Sequence, residues 1–141
     1  MKVNVKWLFI MIVAFSCLSA YTVSAEDSNG FGRPKAITFT GENQNWLVVH
    51  QMYLIGTEVK IQTQINYKGD DEKIKNRPLL HYSIFDEGTN VFGTFSLNHS
   101  NIYQSEKTEC SGCKFLDKKK EVTFIIGEWE EYEERITLRR E

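Results

Sequence analysis

The stretch that decides the fold is "TEVKIQTQINY", residues 57–67. Val59, Ile61, Thr63, Ile65 and Tyr67 fall on one side of it, and Lys60, Gln62, Gln64 and Asn66 on the other. Side chains of a strand point to alternate faces, whereas those of a helix return every 3.6 residues, so this spacing predicts a half-buried strand. The pattern recurs outward along the chain. "EVTFIIGEW" (121–129) alternates at Val122, Phe124 and Ile126, and "ERITLRR" (134–140) at Ile136 and Leu138. "PLLHYSIFD" (78–86) sets Leu80, Tyr82 and Ile84 on one face, and "VFGTFSL" (91–97) does so with Val91, Phe95 and Leu97. "AITFTG" (36–41) and "WLVVHQMYLIG" (46–56) are rich in the β-branched and aromatic residues that suit a pleated surface. Gly, Asn and Asp clusters at 41–43, 69–71 and 86–88 punctuate these runs. About seven short strands joined in sequence predict an all-β protein, an antiparallel immunoglobulin-like β-sandwich over residues 37–141.

The beginning of the chain has a different character. Lys2 and Lys6 precede an apolar run at 7–15, which is too short to span a bilayer, and small residues follow, ending in Val23-Ser24-Ala25. These three parts make residues 1–25 an expected signal peptide. Cleavage after Ala20 is a rival, and a faint lipobox around Cys17 makes lipidation there a further alternative. The expected location is therefore secreted or in the extracytoplasmic envelope, with no membrane span after cleavage. Residues 26–36, with "EDSNGFGRPK", suit a flexible stalk. Residues 1–25 hold two of the 17 basic residues and none of the 19 acidic ones, so the remaining 116 residues carry net charge −4. Such a balance has no electrostatic footprint for nucleic acid or an anionic membrane. One domain acting as a monomer is expected, long enough to bury a core of its own.

"FTGENQNW" (39–46) resembles the opening signature of a family of small exported proteins and lipoproteins of spore-forming Gram-positive bacteria. The later order is also similar: "HYSIFDEG", then "GTFSL", a C-x-G-C loop and a closing hairpin with Trp129 and "ITL". The resemblance covers most of residues 37–138 and implies an extracytoplasmic β-sandwich, without implying an activity. The chain departs from lipoprotein members at the lipobox, where Ala14 and Phe15 stand in weak positions.

Within "TECSGCKF" (108–115) lie Cys110 and Cys113. Outside the reducing cytosol such neighbours are expected to be oxidised. The pair reads as a structural disulfide. A thiol–disulfide redox centre is the alternative, but it wants a following helix to stabilise the thiolate, and "KFLDKKKEV" runs straight into a strand. A zinc site wants four ligands, and His50, His81 and His99 have no finger-like spacing. Neither a metal nor another cofactor is expected.

"GEWEEYEE" (127–134) concentrates Glu around Trp129 and Tyr132. It reads as a charged edge hairpin that resists sheet-to-sheet association. Two alternatives are a cation site and an aromatic platform for wall sugars made by Trp129 and Tyr132. Asn98-His99-Ser100 reads as a strand end and turn. No nucleophile elbow, zincin helix or phosphate loop occurs. The functional expectation is a non-catalytic binding or structural module whose partner is a wall polymer or another exported protein.

Overall fold

In the computed structural model, residues 35–86, 89–128 and 132–141 are described. The expected signal peptide, Cys17, Trp129 and all but the end of the expected stalk lie outside them. Lys35 and Ala36, assigned to the stalk from sequence, are the first residues of a strand.

The strands are β1 (Lys35–Glu42), β2 (Trp46–Ile55), β3 (Glu58–Tyr67), β4 (Leu80–Asp86), β5 (Thr89–Phe95), β6 (Ile102–Gln104), β7 (Thr108–Glu109), β8 (Glu121–Glu128) and β9 (Tyr132–Arg140). One helical turn, α1 (Glu72–Lys75), interrupts the connection from β3 to β4, and Asp71 caps it by accepting from the Lys73 amide at 2.8 Å. The seven expected strands are all present. β6 and β7 add two within 98–120, where the sequence shows no alternation.

All pairings are antiparallel, and the strands form one sheet in the order β5-β4-β8-β9-β1-β2-β3-β6, with β7 also on β3. The sheet is nearly closed into a barrel. Two halves can be distinguished in it, β1-β2-β3 with β6 and β7, and β9-β8-β4-β5. They join where Phe39 and Thr40 of β1 pair with Arg140 and Arg139 of β9. Gly41 permits that close approach, because a Cβ there would meet the Leu138 side chain at 2.8 Å and the Thr137 carbonyl. The strands expected from the sequence thus form one hydrogen-bonded antiparallel sheet whose halves face each other.

The alternation decides what lies between the halves. Val59, Ile61, Thr63, Ile65 and Tyr67 of β3 are buried, as are Leu80, Tyr82 and Ile84 of β4 and Val122, Phe124 and Ile126 of β8. Aromatic rings bridge the two halves: Trp46 lies edge-on to Phe95 with centroids 6.2 Å apart, and Tyr103 of β6 meets Phe95 at 5.3 Å. Polar groups in this core are bonded. His50 Nδ1 and Thr63 Oγ1 are 2.9 Å apart. Residues 110–120 run from β7 to β8 and send Leu116 into the core, with Phe115 and both cysteines packed against it.

Candidate functional site

Of the residues singled out in the sequence, Cys110, Cys113 and Tyr132 lie among those described. Cys110 and Cys113 form a disulfide with Cα atoms 5.4 Å apart. The Cys113 amide donates to the Cys110 carbonyl at 3.2 Å, and Gly112 has φ 83°, the conformation that the third residue of a type II turn requires. The Cys110 amide also donates to the Val59 carbonyl at 2.8 Å, which ties the turn to β3. Both cysteines are half-buried against the core.

Tyr132 is not a bare platform, for its hydroxyl is held inside a network. Trp46 Nε1 donates to the Tyr132 hydroxyl at 3.0 Å, and that hydroxyl donates to a Glu134 carboxylate oxygen. Asn43 Nδ2 and Asn45 Nδ2 donate to the same carboxylate at 2.5 and 2.8 Å. Asn43 Oδ1 in turn accepts from the Asn45 and Trp46 amides at 2.9 and 2.8 Å, which fixes the turn between β1 and β2. Burial opposes charge on Glu134, but the hydrogen bonds from Tyr132, Asn45, Asn43 and Trp46 outweigh it and hold the carboxyl below its ordinary value. Burial, then the bond to Glu134, pushes the Tyr132 hydroxyl up, so it remains a donor. Four residues of "FTGENQNW" therefore serve the fold: Gly41 at the strand junction, and Asn43, Asn45 and Trp46 on the β9 network.

On the opposite surface of the β4–β8–β9 half, the side chains that face outward make a depression of about 210 Å³. β4 contributes His81, Ser83 and Phe85, β8 contributes Ile125 and Gly127, and β9 contributes Glu133 and Arg135, with Tyr132 at one end. Register explains the grouping. His81, Gly127 and Glu133 form one cross-strand row, and Ser83, Ile125 and Arg135 form the next. Gly127 makes the notch, since any Cβ there would collide with the Tyr132 carbonyl and Glu133 Cα as β9 crosses. Arg135 Nε donates to Glu133 Oε1 at 2.7 Å on the exposed rim. Phe85 and Phe92 of β5 stand edge-to-face at 5.8 Å beside the depression, 37% and 58% exposed.

The arrangement has one apolar wall and one polar fork. The guanidinium offers several N–H donors in a plane, one of them used on Glu133, and the carboxylate accepts. As a pair the two are neutral. The volume is below that of sites for drug-sized molecules, which run to roughly 300–1,000 Å³, and suits a single ring. Sequence reasoning missed this site because its residues come from three strands and alternate with core positions. The available signal was polar or aromatic residues repeating at the outward positions of "LHYSIFD" and "YEERI".

Among the described residues, no cluster of three or more His, Cys, Asp or Glu could hold a metal ion. Glu133 and Glu134, two members of the acidic hairpin, are occupied by Arg135 and by the Tyr132 network. No helix among the described residues is long and apolar enough to cross a membrane. No family model, curated protein or solved structure matches the chain.

Proposed function

We propose that the chain is an exported, non-catalytic binding module of the cell envelope, and that the depression on β4, β8 and β9 seats one ring of a wall polymer. The observation that carries this reading is the pairing of an apolar wall, Phe85 and Ile125, with the neutral Glu133–Arg135 fork on three hydrogen-bonded strands. A sugar ring has the matching chemistry, an apolar face for the aromatic wall and edge hydroxyls that both donate and accept. Export and loss of residues 1–25 rest on the charged, apolar and small-residue succession at the start of the chain.

The finer architectural reading, an immunoglobulin-like sandwich, is supported by the way the two halves of the sheet face each other across a shared core. Cys110–Cys113 acts in this reading as a staple rather than a redox centre. Its support is the packing of both cysteines against the core and the turn geometry that already holds them together.

Co-sedimentation with purified peptidoglycan sacculi tests the proposal. The full chain, purified as its host processes it, is expected to pellet with sacculi. Arg135→Ala combined with Phe85→Ala is expected to reduce the bound fraction at least tenfold at unchanged thermal stability. Wild-type protein that stays in the supernatant, or a variant that binds equally, would overturn the reading.

A further inference from the structure

The strand β5 ends the sheet, and its only strand partner among the described residues is β4. Such an edge offers a row of backbone donors and acceptors to any second strand. Proteins ordinarily blunt a long edge with Lys, Glu or Pro, or cover it. Here none of these devices is present in the strand. "TNVFGTF" contains no charge and no proline, and the whole run 88–105 carries no Lys, Arg, Asp or Glu in a chain that is 26% charged. At the other end of the sheet, β6 and β7 have three and two residues and bond to β3. They are too short to cover a strand of seven residues. Their described approach to β5 is by side chains at the Phe95 end, where Tyr103 meets that ring.

The outward side chains of β5 point the same way. Phe92 is 58% exposed, the most exposed large apolar residue described, and polar uncharged Asn90 and Thr94 flank it. We infer that β5 is a self-association edge, pairing antiparallel with β5 of a second copy of this chain about a two-fold axis at Phe92. That register sets Phe92 beside its own counterpart and Asn90 opposite Thr94 of the other copy. A two-fold contact brings every residue of the edge against the same edge, so like charges would repel within it. An uncharged strand is therefore what a self-pairing edge needs, and this one stands in a chain rich in charge. The pairing departs from the single-chain state expected from sequence. It would also carry two outer faces, each with its depression, on one continuous sheet.

Sedimentation velocity of the full chain, purified as its host processes it, tests the inference across micromolar to submillimolar concentration. A reversible dimer is expected. Phe92→Lys, which sets two like charges at the axis, is expected to weaken it at least tenfold, with circular dichroism unchanged. Register is read separately by oxidative cross-linking. Phe92→Cys is expected to form a cross-linked dimer, whereas Asn90→Cys alone is expected not to, because position 90 faces position 94. A monomer throughout the range overturns the proposal. So does a dimer that Phe92→Lys leaves intact, or one that cross-links equally at 90 and 92. If Phe92→Lys does not fold, the cross-linking pair decides alone. Wall binding by a strictly monomeric protein would remove this inference and leave the proposed function standing.

Discussion

His50 shows how strand register sets the chemistry of one residue. β2 alternates Trp46, Val48, His50 and Met52 into the core, so the imidazole is carried to 2% exposure with Thr63 at its Nδ1. Burial pushes its pKa down from 6.5 to about 4. Between those values the unfolded chain binds a proton that the folded chain does not. The stabilising contribution is therefore complete above about 6.5 and is lost as pH falls toward 4. Going from pH 7 to pH 5 should cost wild type about 2 kcal/mol from this group alone. His50→Leu should remove that part of the slope, as read from urea midpoints at the two pH values. A variant with the undiminished slope would show that His50 is not its source. Its place in a strand was legible from "WLVVHQMYLI", but its partner was not, since Thr63 is set beside it only by the register of β2 on β3. The same holds for Asn43, Asn45 and Trp46. They can be read in the sequence as an Asn-rich turn before a strand, while the carboxylate that they hold, Glu134, lies about 90 residues away.

At the level of elements, five strands could be read directly from alternation, because each has one wet and one dry face, and β1 and β2 from their β-branched and aromatic residues. β6 and β7 could not. They exist only because 98–120 is drawn along β3, where the Ser105 amide bonds to the Thr63 carbonyl and the Cys110 amide to that of Val59. The disulfide belongs to this connection, and its energetic effect is bounded by its size. A ring of four residues removes little chain entropy, about 2 kcal/mol by the loop-closure estimate. The backbone bonds that hold the turn do not depend on the sulfurs. Cys110→Ser with Cys113→Ser should therefore unfold cooperatively with a stability lower by at most about 2 kcal/mol, and its far-ultraviolet circular dichroism should match wild type. Loss of the β-sheet spectrum in that variant would mean that the staple holds more than the turn.

On the scale of the whole molecule, sheet order was beyond the sequence, because nothing local says that β1 pairs with β9. That contact joins the two halves through just two registered residue pairs. The Glu141 amide adds a bond across it to the Thr38 carbonyl at 3.1 Å. Gly41→Ala drives a methyl into this junction, between the Thr137 carbonyl and Leu138. The expected cost is about 1–3 kcal/mol, seen in the urea midpoint, with amide exchange rising first along β1 and β9. Exchange rising equally over the entire sheet would mean that the junction is no weaker than the rest. The junction also sets a clock on synthesis. β1 leaves the ribosome early, and its partner β9 follows every other strand. At 5–20 residues per second, the intervening stretch of about 90 residues takes roughly 5–20 s to make. For that time β1 has β2 on one side and nothing on the other, so the barrel cannot shut. This ordering of strands is a built-in delay, during which the growing polypeptide stays looser than its finished form.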